Sequence, residues 1–369
     1  MKIAIFHPQL NNFGGGETVA LTLSELLLDK YEVDIISKTD PGINKLKSFF
    51  NLNISDLNII VPKKWIKLNN FSYFETIKSK LYIDHIKNLS NYDLVIDTGT
   101  NGWFNKKIQA KTVCYVHFPF FYNKKTGIKS ILNPLLLNAK NAFCYDSIIC
   151  NSNFTKKQLK KYTDKKINVI YPPVEIKKIN PNKKKKNRIV SIGRFSYEKK
   201  HEILIESFKK MKLKNWELHL IGSFQENNNS YDKNYLNKIK DMTKNSNITL
   251  HINMEHKKVL NFLEESKIYW HARGYGESNP QEYENFGITT VESMAAGCIP
   301  IVINLGAQPE IIDHKINGYC WNEPNELIHY TKKMTQNIPK NLLKNIILKS
   351  KSFSKKIFRT KINNLIKSL

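Results

Sequence analysis

The sequence predicts an α/β protein built from two doubly wound domains with parallel sheets. Three observations lead to this prediction. The chain has 369 residues, enough for two domains that each bury their own core. Short β-branched runs alternate with longer amphipathic stretches in both halves, a pattern typical of parallel sheets covered by helices on both faces. A polar, lysine-rich segment that contains proline separates the halves and indicates a linker.

The first half contains seven candidate strands, each a short run rich in β-branched or aromatic residues. They are Ile3–Phe6, Val33–Ser37, Asn58–Val61, Leu94–Asp97, Thr112–Val116, Ile148–Asn151 and Asn168–Tyr171. Stretches such as Glu17–Leu28 and Phe154–Lys161 have helical patterns and follow candidate strands.

The second half repeats this alternation. Its candidate strands are Ile189–Ile192, Glu217–Ile221, Thr249–Ile252, Ile268–His271 and Ile299–Ile303. Helical patterns cover Glu202–Met211 and Lys257–Glu265. We therefore expect an N-terminal domain over residues 1–173, which ends at a Tyr-Pro-Pro sequence, and a C-terminal domain over residues 188–345.

The net charge of +26 has more than one interpretation. Lysines dominate it, in runs such as Lys183–Lys186. They form either solvated faces of a chain rich in Lys, Asn and Ile, or a surface attracted to anionic lipid headgroups at about 1 kcal/mol per basic residue. Both interpretations stay open. A specific nucleic-acid partner is disfavoured, because no nucleic-acid-binding module accompanies the charge.

The sequence also bears on the compartment. No apolar run approaches the ~20 residues that span a bilayer, and the first residues read as a strand rather than as a signal peptide. The five cysteines are odd in number and form no Cys-x-x-Cys pair. We expect a cytoplasmic protein that is either free or peripheral on the cytoplasmic face of the membrane.

Glu284 and Glu292 stand eight positions apart around a Phe-Gly turn. A helix-compatible run follows over Ile288–Ala296, and Gly297 ends it. The start of such a helix offers unpaired N–H groups and a positive dipole end, which suit a phosphate. Carboxylates on either side can accept hydrogen bonds from sugar hydroxyls. This pattern predicts a nucleotide-sugar pocket.

A second pattern follows the first strand of each half. Gly14–Gly16 open a helix after the first strand, where a dinucleotide-binding fold places its glycines. A nicotinamide oxidoreductase is disfavoured, because Val19 stands at the third glycine position and Lys38 replaces the acid that would bind a ribose. In the second half Arg194 and Lys199 follow the first strand and could clamp a diphosphate.

The segment from Glu284 to Ile303 resembles the retaining glycosyltransferases of family 4, which have the GT-B fold and a Glu-x7-Glu motif. This family includes the ALG11-type lipid-linked mannosyltransferases and their bacterial and archaeal relatives. The resemblance implies two Rossmann-like domains that face a cleft. It also implies that Glu284 contacts the transferred sugar, that Glu292 binds the ribose, and that the backbone around Phe286, Gly287 and Ile288 meets the sugar and diphosphate.

The resemblance extends to other site residues. Arg194 and Lys199 match the family pattern as donor-binding and catalytic cations. The glycines face the donor diphosphate and the acceptor, with Gly15 and Gly16 on the donor side and Gly14 on the acceptor side. His117, in a Tyr-Val-His-Phe-Pro segment, is expected beside the reacting sugar, and His7 on the acceptor side. Residues 346–369 are expected to form a helical tail that packs back on the N-terminal domain.

We therefore predict a retaining, metal-independent hexosyltransferase that needs no cofactor besides its substrate, a GDP- or UDP-sugar. The acceptor is expected to be a hydroxyl of a glycan carried on a lipid. The loop Gly274–Tyr283 is longer than in the eukaryotic mannosyltransferases, which leaves the acceptor and the mannose assignment open. The alternatives are a polysaccharide or small-glycoside acceptor and a non-catalytic GT-B binding protein.

Overall fold

The computed structural model describes residues 1–61, 89, 91–99, 108–119, 145–224 and 230–369. The chain divides into two compact units. Unit 1 comprises Met1–Pro173 together with Phe358–Leu369, and unit 2 comprises Val174–Ile357. One of the five cysteines, Cys144, lies outside the described residues.

Unit 1 contains a seven-stranded parallel sheet with the order β3-β2-β1-β4-β5-β6-β7. Its strands are β1 Lys2–Phe6, β2 Glu32–Ile36, β3 Asn58–Ile60, β4 Leu94–Asp97, β5 Lys111–Val116, β6 Ser147–Cys150 and β7 Ile167–Val169. The order reverses at β1 and β4, which is the topological switch point of a doubly wound sheet. The carboxyl ends of these two strands are therefore where a ligand site is expected.

Unit 2 contains a six-stranded parallel sheet with the order β10-β9-β8-β11-β12-β13. Its strands are β8 Lys186–Ile192, β9 Glu217–Gly222, β10 Ile248–Ile252, β11 Ser266–His271, β12 Ile299–Ile303 and β13 Tyr319–Trp321. The prediction of two doubly wound parallel sheets is confirmed. The sequence did not indicate β13, because three aromatic or cysteine residues at a sheet edge give no periodicity.

Helices cover both sheets, and their bounds follow the predicted patterns to within one or two residues where a prediction was made. In chain order they are α1 Gly15–Leu28, α2 Ile43–Phe50, α3 Asn153–Leu159, α4 His201–Met211, α5 Ser230–Thr243, α6 His256–Glu265, α7 Ile288–Ala295, α8 Gln308–Ile311, α9 Pro324–Gln336, α10 Leu342–Ser350 and α11 Lys355–Lys367. In the described part of the chain, no helix is long and apolar enough to cross a membrane.

The end of the chain completes the core of unit 1. Phe358 and Ile362 of α11 are buried in the cluster that contains strands β1 and β2 and helix α1. The Phe358 ring contacts Tyr115 of β5 with ring centroids 6.5 Å apart. Arg359 pairs with Asp29 at the end of α1. Unit 1 is therefore built from two segments of chain.

The segment between the two predicted domains packs on unit 2. Val174 forms a parallel bridge with Ser354, and Lys185 Nζ donates to the carbonyl of Ala296 at 2.5 Å. Residues 346–357 belong to the same unit. The segment was expected to be a linker because its lysines are polar, but the amines of Lys183, Lys185 and Lys186 have partners on unit 2.

Candidate functional site

The loop after β8 directs Lys199 toward the site in unit 2. It contains a 3₁₀ turn over Tyr197–Lys199. A Cβ atom on Gly193 would lie 3.0 Å from Cδ of Lys199, so the aliphatic part of Lys199 passes directly over Gly193. Because Gly193 has no side chain, the Lys199 stem can cross it and bring the amine to the carboxyl ends of the strands.

Glu284 is the centre of the cluster that Lys199 reaches. Lys199 Nζ lies 2.9 Å from Oε2 of Glu284, and Nε2 of His271 lies 3.2 Å from the same oxygen. Arg273 Nη1 lies 3.6 Å from the other oxygen, Oε1. The side chains of Glu284, Lys199 and Arg273 are each about 15% exposed. One carboxylate therefore meets three nitrogen groups in a largely buried place.

The charges of this cluster follow from its surroundings. Burial acts to raise the pKa of Glu284, but Lys199, Arg273 and His271 outweigh it and hold this pKa well below its usual range. Burial lowers the pKa of Lys199 and of His271. A neutral His271 must carry its proton on Nε2 to donate to Glu284. Its Nδ1 is then an acceptor, and this buried atom has no hydrogen-bond partner in the part of the chain that the structure describes.

The backbone of Glu284 is fixed by the chain after β12. Ala307 N donates to the carbonyl of Glu284 at 2.9 Å. Gly306 has φ +64°, and a Cβ on it would lie 2.4 Å from that carbonyl oxygen and 3.0 Å from the nitrogen of Glu284. Only glycine fits against this peptide group. The segment that contains Gly306 therefore sets the height of Glu284 above the sheet.

Helix α7 begins beside this carboxylate. Gly287 caps it with φ +109°, and the buried Gln308 holds the turn. The side-chain amide of Gln308 donates to the carbonyl of Phe286 at 3.3 Å and accepts from the hydroxyl of Thr290 at 3.0 Å. The first N–H groups of an α-helix have no partner within the helix, so α7 presents donors and a positive dipole end at the site.

Two predicted residues of unit 2 make other contacts. The side chain of Arg194 is 68% exposed and pairs with Glu198 at 3.0 Å. Glu292 is 12% exposed, and its Oε1 lies 3.3 Å from Nε2 of His256 at the start of α6. This hydrogen bond raises the pKa of His256. The structure thus brings Lys199 to Glu284, while Arg194 and Glu292 each have a different partner.

Unit 1 places a histidine at its switch point. His7 follows β1, and its Nδ1 lies 2.8 Å from the hydroxyl of Thr98, which follows β4. That hydroxyl donates to the carbonyl of Phe6 at 3.0 Å, so it accepts from His7. His7 Nε2 lies 3.5 Å from Oε1 of Glu17 on α1. Burial acts to raise the pKa of Glu17, but His7 outweighs this effect and lowers it.

The glycine-rich turn lies against both histidines of unit 1. Gly14 N donates to Oε2 of Glu17 at 2.9 Å. A Cβ on Gly16 would lie 3.5 Å from the His7 ring and 3.8 Å from Nε2 of His117. This Nε2 is buried without a hydrogen-bond partner among the described residues, and burial lowers the pKa of His117 to about 4. The predicted residues His7, Gly14, Gly16 and His117 are therefore neighbours, and His117 is neutral at physiological pH.

Sequence reasoning missed four members of these clusters: His271, Arg273, Glu17 and Thr98. A signal existed for each of them. His271 ends β11, Arg273 lies two residues beyond it, and Thr98 directly follows β4, where ligand sites form in parallel sheets. Glu17 stands three residues after Gly14, the spacing of a capping box. Among the described residues, no group of three His, Cys, Asp or Glu side chains could hold a metal ion.

Two Rossmann-like units, one carrying a carboxylate–cation cluster beside a helix N-terminus, are the architecture of the GT-B glycosyltransferases. Two family models match the chain and together span residues 13–351. "Glycosyltransferase Family 4" matches residues 13–178, and "Glycosyl transferases group 1" matches residues 174–351. The chain belongs to family 4, a family of retaining hexosyltransferases that transfer sugar from nucleotide sugars.

Curated relatives and solved structures agree with this assignment. The chain is similar to the "GDP-Man:Man(3)GlcNAc(2)-PP-Dol alpha-1,2-mannosyltransferase" of Dictyostelium discoideum, with 22% identity over 89% of this chain and 77% of that protein. Its human counterpart is 25% identical over 83% and 73%. A glycosyltransferase from Rickettsia africae superposes with a TM-score of 0.73 at 20% identity, covering 100% of this chain and 98% of the other. Anabaena Alr3699/HepE in complex with UDP-glucose gives 0.74 at 15% identity over both full chains.

Proposed function

We propose that this protein transfers a hexose from a nucleotide-diphosphate sugar to a hydroxyl of a lipid-linked glycan, and that unit 2 binds the donor while unit 1 binds the acceptor. The observation that carries the proposal is the buried Lys199–Glu284 pair beside the start of α7. A cation, a helix N-terminus and a sugar-binding carboxylate within one cluster are what a sugar diphosphate requires.

The donor diphosphate is proposed to bind at the N-terminus of α7, where the backbone at Gly287 and Ile288 donates hydrogen bonds to its oxygens. Lys199, and Arg194 from its exposed position, supply positive charge as the diphosphate leaves the sugar. Glu292 lies in the second turn of α7, where its carboxylate would accept from ribose hydroxyls. Glu284 stays ionised because cations surround it, so it can only accept hydrogen bonds, and sugar hydroxyls can supply them.

Retention of configuration is proposed to proceed by attack on the face from which the diphosphate leaves. In this scheme the oxygen of the bond that breaks takes the proton of the acceptor hydroxyl, and the new glycosidic bond forms on the same face. Glu284 is assigned to binding the sugar hydroxyls and not to nucleophilic attack, because Arg273 and His271 hold its two oxygens. The backbone carbonyl of His117 is proposed to support positive charge at the anomeric carbon, while its side chain is neutral.

Acceptor binding is proposed for the cluster around His7, Gly14 and His117. Glu17 contacts His7 through one oxygen and accepts from Gly14 N through the other, which fixes the turn that carries the glycines. A glycine at position 16 lets a ligand approach the His117 ring closely, since a side chain there would stand 3.8 Å from Nε2.

Two donors are proposed, and an experiment separates them. The sequence relatives are named for GDP-mannose, whereas a structural neighbour holds UDP-glucose. Transfer or hydrolysis is to be measured with a panel of GDP-, UDP- and ADP-sugars, comparing wild type with Glu284→Gln. Turnover by the wild type and not by the variant supports the proposal. Tight nucleotide binding without turnover of any donor would favour a non-catalytic binding protein.

A peripheral membrane location is proposed from the surface of α10. Leu343 and Leu348 are 40% and 49% exposed, and exposed Lys344 lies between them in sequence. Apolar side chains flanked by lysines suit an anionic interface. Co-sedimentation with anionic vesicles at low salt is the test, with Leu348→Ser as the variant expected to lose binding. A wild type that stays in the supernatant with such vesicles would contradict this part of the proposal.

A further inference from the structure

Glu284 has an exchangeable partner and two fixed ones. Lys199 Nζ can donate three hydrogen bonds, and among the described residues Glu284 is its only hydrogen-bond partner. Its aliphatic stem passes over Gly193, which has no side chain. Lys199 can therefore turn to another anion without breaking any further contact in the described part of the chain.

Arg273 is held in a different way. Its Nε donates to the carbonyl of Glu282 at 3.1 Å, while Nη1 faces Glu284 Oε1 at 3.6 Å. The guanidinium is planar, so fixing Nε also fixes the direction of Nη1. Tyr283 closes the loop on this side, since a Cβ on Gly274 would lie 2.7 Å from the Tyr283 ring. Arg273 thus cannot move without displacing the loop that leads into Glu284.

His271 fixes the second oxygen. It is 4% exposed, pairs with Val302 as the last residue of β11, and donates from Nε2 to Glu284 Oε2. If Lys199 turns away, each carboxylate oxygen still faces one group at the carboxyl end of β11. Glu284 then keeps its place and its ionised state.

We propose that Arg273 and His271 are positioning residues that hold the Glu284 carboxylate while Lys199 leaves it to bind the diphosphate of the donor. This inference rests on the proposed function, because it requires a donor diphosphate in unit 2. It explains why one carboxylate faces three nitrogen groups: Lys199 turns to the substrate, and Arg273 and His271 keep an acceptor-only carboxylate aimed at the sugar.

The pH dependence of turnover tests the inference. The titratable or charged groups that face Glu284 are Lys199 from the β8 loop and Tyr269, His271 and Arg273 from β11 and its end. Burial raises the pKa of Tyr269, so it stays neutral. Losing Arg273 would let the pKa of Glu284 rise, because burial favours its protonated form. The acid limb of the kcat profile should then move to higher pH by about one unit or more.

The experiment compares Arg273→Met with wild type, Glu284→Gln and the control Arg188→Met. Arg188 is also a buried arginine of unit 2 that faces carboxylates, at 3.6 and 3.7 Å, and it lies outside the site. Arg273→Met is expected to lower kcat about tenfold or more with little change in donor KM, and to shift the acid limb upward. Arg188→Met is expected to change neither. Arg273→Gln is a second neutral variant if the methionine variant does not fold.

UDP and GDP binding separates this inference from the proposed function. Lys199→Ala should weaken binding of the nucleotide, and Arg273→Met should not. If both variants lost nucleotide affinity equally, Arg273 would bind the diphosphate and the inference would be overturned. It would also be overturned if Arg273→Met kept the kcat and the acid limb of the wild type. If the wild type bound nucleotide but turned over no donor, the proposed function would be overturned. The nucleotide affinities of Lys199→Ala and Arg273→Met would still show which of the two residues binds the diphosphate.

Discussion

Replacing Gly306 by alanine tests whether the height of Glu284 above the sheet controls activity. The added Cβ would start 2.4 Å from the carbonyl oxygen of Glu284, and real Cβ atoms do not come closer than about 3.0 Å. The peptide group of Glu284 must therefore shift by at least about 0.6 Å. Its carboxylate now lies 2.9 Å from Lys199 Nζ, so a shift of this size breaks the geometry of that pair.

The expected loss of kcat is about tenfold to a hundredfold, because a misplacement of about 1 Å in a catalytic group can cost about a hundredfold. Alanine in a left-handed conformation also costs about 1–2 kcal/mol of stability. In a unit of this size this cost lowers Tm by about 2–4 °C per kcal/mol. Kinetics with the preferred donor and thermal unfolding are to be measured on the same preparations.

Gly276 provides a matched control. It has φ +75° and no atom within 4 Å of an added Cβ, so Gly276→Ala carries the backbone cost without the collision. Both variants should lose thermal stability, and only Gly306→Ala should lose most of its turnover. If Gly306→Ala turned over at the rate of Gly276→Ala, the argument that Gly306 positions Glu284 would be wrong.

Three further predictions follow from the same contacts. Lys199→Ala should lower kcat by about a hundredfold or more while Tm stays within a few degrees of wild type, since Arg273 and His271 still face the Glu284 carboxylate. Wild-type kinetics would remove Lys199 from the reaction. Burial lowers the pKa of His117 to about 4 in the folded state, against about 6.5 in the unfolded state. Between these values the unfolded state binds more protons. The free energy of unfolding therefore falls as the pH drops from 6.5 to 4, by up to about 3 kcal/mol. His117→Gln should therefore reduce the difference in Tm between pH 7 and pH 5, and an unchanged difference would contradict the burial argument. Phe358→Ala should destabilise unit 1 by about 3–5 kcal/mol, because the Phe358 ring is 2% exposed in the core of that unit. Urea unfolding followed in both units would show whether the loss falls on unit 1. Ile357→Ala, at an exposed position, is the control.

The sequence was sufficient to predict both sheets, because buried parallel strands leave short β-branched runs that are easy to find. Ile3–Phe6 and Ile299–Ile303 are such runs, and all their residues are buried. It could not predict where the segment after Pro173 packs. A lysine such as Lys185 looks solvated in sequence, and only the position of the Ala296 carbonyl shows that its amine has a partner.

The site was partly predictable for a similar reason. Glu284 and Lys199 belong to recognisable motifs, so they could be named, and the structure brings them to 2.9 Å. Arg273 belongs to no motif. Its importance arises because the loop Gly274–Tyr283 folds back on itself and returns the chain to Glu284, and loop closure of this kind leaves no periodic signal in the sequence. The role of Gly306 could not be predicted either. Glycine is required there because its backbone approaches that of Glu284, which lies 22 residues earlier in the sequence.

The return of α11 to unit 1 also has a consequence for how the protein is made. Residues 358–369 are synthesised after all of unit 2, yet Phe358 and Ile362 complete the core of unit 1. Until residues 358–369 have been made, unit 1 therefore exposes the apolar surface that they cover. The first unit to be translated is the last to be completed, so nascent chains that stop before residue 358 should need chaperones for unit 1 and not for unit 2.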